Sequence, residues 1–181
     1  WSSDVCSSDL GVIVQECGIG LVTVRETGND LAFKAPPLIR SGPLTAQERA
    51  EAIRIAGVDE DAVLAAVHAC NGPGWKLLHL RSAQDVLSAQ PESTADVPTD
   101  IGLVGAYEEG SGVAFEVRAF FANPQGRLVE DPVTGSLNAS VALYLFEGGH
   151  VTSDYLTAQG RLTGADGRVA VSRDGEGVWI G

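Results

Sequence analysis

The segment Glu130-Asp131-Pro132-Val133-Thr134-Gly135-Ser136-Leu137-Asn138-Ala139-Ser140 decides how this chain is read. It joins a strand end, an acidic turn and a helix start. Ser136 is placed to cap a helix running to Phe146, with Gly148 or Gly149 as its end. Leu137, Val141, Tyr144 and Leu145 would face inward, and Val141 to Phe146 leaves little polar face. Such a helix belongs inside a fold rather than on its surface. Gly135 and Ser136 would offer backbone N–H groups where the helix dipole favours an anion. Asp131 stands just before them, so a carboxylate and an anion-binding turn share one place. That pairing suits acid/base work on a small acidic molecule. Spacing alone leaves a second reading open, in which Asp131 and Thr134 only cap the helix.

Strand signals surround this helix. Val12 to Gln15, Leu21 to Glu26 and Leu31 to Ala35 read as a β-meander, with Thr27-Gly28-Asn29-Asp30 as a turn. Pro36-Pro37 stops regular pairing and marks a lobe boundary. Thr45 and Glu48 form a capping box for a helix ending at Gly57, with Ala50, Ile53 and Ala56 on one face. A shorter helix is expected from Asp59 to Val67, a strand over Trp75 to Arg81, and a short Ser82-capped helix ending near Gln90-Pro91. Ile101 to Tyr107 and Gly112 to Phe121 are the best strands. In the second, Glu116 and Arg118 alternate with apolar residues and mark a polar face. Asn123 to Arg127 is a turn, and Tyr155 to Ile180 holds three short strands. Without regular βαβ alternation, the pattern predicts an α+β fold with a curled sheet around a helix.

Asn71-Gly72-Pro73-Gly74-Trp75 is a second candidate. Two glycines allow close backbone approach to a ligand, and Trp75 could wall a pocket. An ordinary tight turn explains the same residues.

The 181 residues carry 12 Lys+Arg against 24 Asp+Glu, a net charge of −12, which argues against nucleic acid and anionic membranes as partners. No apolar run approaches the roughly 18 residues of a spanning helix. Three widely spaced cysteines point to a reducing, cytoplasmic setting rather than a disulfide framework. Cys17, Cys70, His68, His79 and His150 lack zinc-like spacing, so no metal is expected. No Walker A or G-x-G-x-x-G sequence calls for a cofactor. A Ser136-His150-Asp131 triad can be drawn, but it lacks a G-x-S-x-G elbow.

The chain has no methionine and opens on WSSDVCSSDL, which reads as the translation of a sequencing adapter. On that reading residues 1–10, Cys6 included, are not native, and natural sequence begins near Gly11.

EDPVTGSLNAS (Glu130 to Ser140), NGPGW (Asn71 to Trp75), QECGIGLVTVR (Gln15 to Arg25) and AQG…GR (Ala158 to Arg168) leading to VWIG stand in one order along the chain. With these the chain resembles the phenazine-biosynthesis PhzF family of isomerases, whose fold is similar to diaminopimelate epimerase. The resemblance implies two lobes, each a curled sheet around a central helix, with the active site between them. It implies cofactor-independent proton transfer between carbons of a small cyclic, amino or hydroxy acid, and a homodimer. It places Asp131 at the active site as a catalytic residue, and Gly135, Ser136, Asn71 and Gly72 against the substrate. It also implies a principal acid/base Glu in a Ser-Glu-Thr motif and a Gly-His-Pro motif in the first lobe. Neither motif is in this sequence, and Glu16 and Glu26 are not substitutes. The expected organisation is therefore a first-lobe remnant over residues 11–37 and a second lobe over 38–181, its final strand incomplete. The chain alone is expected to be inactive, and its meander, short of partner strands, to be prone to association. Two alternatives stand beside this reading: an epimerase using Cys17 and Cys70 as opposed bases, and a non-catalytic binding protein on the same fold.

Overall fold

The computed structural model describes residues 5–7, 12–17, 20–27 and 30–181. The side chains of Cys6 and Cys17 lie outside the described residues, as do Gly11 and most of the 1–10 tail. Among the described residues thirteen strands form one mixed sheet around a central helix, which is the α+β architecture that the sequence implies.

The N-terminal strands are β1 (Val5–Ser7), β2 (Val12–Cys17), β3 (Gly20–Thr27) and β4 (Asp30–Lys34). They form an antiparallel meander. Its inner edge is occupied. β4 pairs with β13 (Gly177–Ile180), with Phe33 opposite Ile180 and Lys34 opposite Trp179. The Ala35 N–H continues the contact by donating to the Val178 carbonyl at 2.8 Å. Pro36-Pro37 interrupts the strand as its chemistry requires, yet the sheet runs on across it through β13. The expected shortage of partner strands does not hold at β4.

From β13 the order continues through β12 (Gly167–Asp174), β11 (Tyr155–Gln159), β9 (Phe115–Ala122), β8 (Asp100–Ala106), β7 (Lys76–Leu80), β6 (Val63–Cys70) and β5 (Arg40–Pro43). β10 (Leu128–Asp131) hangs on β9 as a hairpin partner. The β7·β8 and β9·β11 pairs are parallel and the others antiparallel.

The sheet curls around α3 (Gly135–Glu147). Leu137, Val141 and Leu145 pack on Leu77, Val104 and Val117. Ala139, Ala142 and Phe146, on another side of the same helix, pack on Val169, Val171, Val178 and Ile180. A helix buried on two sides explains the missing polar face. The cap lies two residues before the expected Ser136: Thr134 is the N-cap, and its side chain makes no capping bond.

The outer face of β7, β8 and β9 is covered by α1 (Ala46–Ala56) and α2 (Ala83–Ser88). Thr45 and Glu48 close the expected capping box on α1, and Gly57 ends it in the left-handed conformation. The buried stripe of α1 is Ala52, Ile55 and Ala56 rather than Ala50, Ile53 and Ala56. Asp59 to Val67 is not a helix. Asp59 caps a single 3-10 turn over Glu60–Ala62, and β6 begins at Val63. The Val-Leu-Ala-Ala-Val run satisfies its backbone by pairing with β5 and β7. Tertiary pairing outweighs the alanines' local helix preference.

Glu116 and Arg118 are buried, not a solvent face. Arg118 donates from Nη1 to the Val86 and Ala89 carbonyls at the end of α2, at 3.1 and 2.9 Å. Its Nε and Nη2 grip both oxygens of Glu130 at 2.9 and 2.8 Å. Arg118 thus ties α2, β9 and β10 together, one residue before Asp131. Glu116 accepts from the Tyr107 hydroxyl at 2.6 Å. Burial pushes its carboxyl above the ordinary range and the Tyr107 phenol up to about 12. No helix is long and apolar enough to cross a membrane among the described residues.

Candidate active site

β10 delivers Asp131 to the start of α3, half-buried, through the exposed turn residues Pro132 and Val133. Asp131 Oδ2 accepts from the Thr134 hydroxyl at 2.5 Å, and Oδ1 has no partner among the described residues. The Thr134 carbonyl accepts the Asn138 N–H at 3.0 Å and opens the helix ladder. Gly135 and Ser136, the first two helical residues, precede that ladder, so their N–H groups have no intrahelical acceptor. Neither finds another protein partner among the described residues. Among the described residues, then, two unpaired donors stand at the positive end of a thirteen-residue helix, a few residues from an unpaired carboxylate oxygen, and such a helix start can hold an anion.

The Asn71 loop reaches the same point. Asn71 Nδ2 donates to the Ser136 carbonyl at 2.9 Å, and Trp75 Nε1 to Ser136 Oγ at 3.3 Å. Both side chains are buried, and Asn71 Oδ1 is buried without a partner among the described residues. Gly72 is exposed in the loop beyond them. The structure therefore joins Asp131, Gly135, Ser136 and Asn71 in one locality and leaves Gly72 at its edge. β4 supplies a residue that sequence spacing misses: a Cβ built on Gly135 would lie 3.3 Å from the Phe33 ring. A residue before Pro36 therefore packs on the site.

The pure capping alternative does not describe these bonds. Asp131 engages the Thr134 hydroxyl rather than a helix N–H, and Thr134 gives no side-chain cap. The hydrolase triad is also excluded. Ser136 and His150 flank opposite ends of α3, about 20 Å apart by helix rise, and Ser136 Oγ meets Trp75 instead.

A buried polar network behind the turn is the largest feature that spacing did not reveal. Gln159 Oε1 accepts from the Thr134 N–H at 3.0 Å and from Asn138 Nδ2 at 2.8 Å. Its Nε2 donates to the Asp131 carbonyl at 3.1 Å and to Thr134 Oγ1 at 3.0 Å. Asn138 Nδ2 also donates to the Thr134 carbonyl at 3.0 Å, and Thr157 Oγ1 to Asn138 Oδ1 at 2.8 Å. Gln159, Asn138 and Thr157 are each only 1% exposed. Their signal in the sequence is polarity in apolar surroundings: an Asn inside the most apolar helix, and Thr and Gln two apart on one strand. Gly160 completes the support. It has φ +89°, and a Cβ there would stand 2.3 Å from the Pro132 carbonyl oxygen.

Cys70 is buried near this locality with its thiol pushed up by that burial, the opposite of an activated nucleophile. Among the described residues no three His, Cys, Asp or Glu side chains are grouped to hold a metal ion.

The sequence pattern of the phenazine biosynthesis-like proteins, PhzC-PhzF, matches residues 5–178. The chain belongs to this family. Solved PhzF-family structures share its fold. One from Enterococcus faecalis superposes with a TM-score of 0.67 at 17% identity, over 96% of this chain and 61% of that one. One from Bacillus anthracis gives 0.68 at 16%, over 96% and 64%. A predicted epimerase from Pseudomonas aeruginosa gives 0.62 at 17%, over 99% and 62%. The chain thus spans less than two thirds of the length of each of these structures. No curated protein sequence matches it.

Proposed function

We propose that this PhzF-family chain carries one half of the active site of an isomerase that moves a proton between carbons of a small amino or hydroxy acid. The observation that carries the reading is that, among the described residues, Asp131 Oδ1 and the nearby Gly135 and Ser136 N–H groups are without partners. In this reading the helix start holds the acid group of the substrate. Oriented N–H donors at a helix terminus stabilise charge there without having to reorganise. Asp131 then exchanges a proton at a neighbouring carbon, and the proton is returned to another carbon, so that no atom is gained or lost. A second carboxylate, the glutamate of a Ser-Glu-Thr motif, is supplied by a first lobe of which this chain carries only residues 11–37. Side-chain carboxylates suffice for this chemistry, and no cofactor is invoked. The 181-residue chain alone is then inactive, and a longer parent, working as a homodimer, is active.

The test is solvent deuterium incorporation into a panel of cyclic and acyclic amino and hydroxy acids, followed by mass spectrometry. The parent should exchange a C–H on at least one compound, and Asp131→Asn should reduce the rate at least about 100-fold, as loss of a general acid/base does. A parent that exchanges none of them contradicts the reading and favours a binding protein on the same fold.

A further inference from the structure

We propose that Gln159 is a positioning residue that sets the direction of a hydrogen-bond relay ending on Asp131, so that Oδ2 is held by the protein and Oδ1 alone meets the substrate. The inference deepens the isomerase reading and rests on it only for the use to which Asp131 is put.

The direction of each bond follows from groups that have no choice. A backbone N–H can only donate and a carbonyl can only accept. Thr134 N–H faces one end of the Gln159 amide at 3.0 Å, so that end is Oε1. The Asp131 carbonyl faces the other end at 3.1 Å, so that end is Nε2. These two contacts exclude the flipped amide. Asn138 is assigned independently: its Nδ2 faces the Thr134 carbonyl, and its Oδ1 receives the Thr157 hydroxyl. Asn138 Nδ2 then donates to Gln159 Oε1, in agreement with the first assignment.

The consequence falls on Thr134. Gln159 Nε2 lies 3.0 Å from Thr134 Oγ1 and must donate to it. The hydroxyl hydrogen of Thr134 is therefore turned away from Gln159, and the acceptor on the other side is Asp131 Oδ2 at 2.5 Å. Every link points one way, from Thr157 through Asn138, Gln159 and Thr134 to Asp131. Such chains polarise their members in the same sense. Gln159 also holds the backbone at both ends of the turn, through Asp131 O and Thr134 N, so it sets the place of the carboxylate as well as its partner.

The experiment is NMR on this chain, labelled at the Asp and Gln side-chain carbons, and it needs no turnover. In the wild type the Thr134 hydroxyl proton should show a through-hydrogen-bond coupling to the Asp131 carboxyl carbon and none to the Gln159 side-chain carbonyl. Thr134→Val should abolish the coupling and move the Asp131 carboxyl resonance, and Thr134→Ser should restore both. Gln159→Met should lose the coupling and move the Asp131 resonance in the same direction as Thr134→Val. A hydroxyl coupled to Gln159 instead would overturn the relay. So would an Asp131 resonance unmoved by Thr134→Val, or by a folded Gln159→Met. If Gln159→Met does not fold, the wild-type coupling and the Val/Ser pair still decide. Failure here leaves the deuterium test of the isomerase reading standing, and failure there leaves this result intact.

Discussion

Asn71 Nδ2 donates to the Ser136 carbonyl oxygen at 2.9 Å, joining residues 65 positions apart in the chain. This bond carries the Asn71 loop to the start of α3. Asn71→Ala should lower unfolding stability by about 1–2 kcal/mol, the cost of one buried bond. Asn71→Asp should cost more, because a buried carboxylate would face that carbonyl with no donor between them. Urea unfolding of both variants checks the order.

Gly160 and Gly164 separate backbone strain from contact. Both have positive φ, +89° and +84°, but a Cβ on Gly164 meets nothing within 4 Å. Gly164→Ala should cost about 1 kcal/mol, from strain alone. Gly160→Ala should cost at least about 2 kcal/mol, because strain is joined by displacement of the Pro132 carbonyl. In amide spectra its changes should reach Asp131 and Gly135, whereas those of Gly164→Ala should stay local.

The buried Arg118 and the partly buried Glu130 form a two-pronged ion pair beside Asp131. Arg118→Met should cost about 3–5 kcal/mol, since Glu130 and two carbonyls of α2 lose their donor. Adding Glu130→Leu should recover part of that loss. A double-mutant cycle by calorimetry reads the coupling, and strictly additive losses would contradict it.

Glu116 gives a pH dependence of defined sign. Burial raises its folded carboxyl above the ordinary value of 4.5, so the native state binds its proton more tightly than the unfolded chain does. Its contribution to stability is present below the unfolded value and is lost as pH rises through the folded one. Glu116→Gln keeps an acceptor for the Tyr107 hydroxyl and removes the charge. Relative to the wild type, the variant should gain stability as pH rises from 4.5 towards neutrality. Parallel unfolding curves at every pH would refute this.

Legibility followed the range of the forces involved. The α3 helix, the Asn123 turn and the strands β7, β8 and β9 rest on local pattern and turn chemistry, and they emerge from the sequence close to their observed bounds; for β11 to β13 the sequence shows three strands within Tyr155 to Ile180 without their limits. Asp131, Gly135 and Ser136 were visible because they are adjacent in sequence. The Asp59 to Val67 segment misled because its pairing partners, β5 and β7, lie elsewhere in the chain. Arg118 looked solvated because alternation cannot show that the end of α2 packs against it, and Glu116 because alternation cannot show that Tyr107 meets it. Gln159, Thr157 and Phe33 were invisible as site residues for the same reason: each reaches the α3 start from a distant strand, and only folding makes the contact.

We propose that the start of α3, beside Asp131, binds a small acid. It is tested most directly by titrating the 15N-labelled chain with α-amino and α-hydroxy carboxylates, glycolate being the simplest. Saturable shifts are expected, largest at the Gly135 and Ser136 amides, and they should disappear when an uncharged amide replaces the carboxylate. Amides at Gly135 and Ser136 that stay still across the panel, while others move or none do, would contradict it.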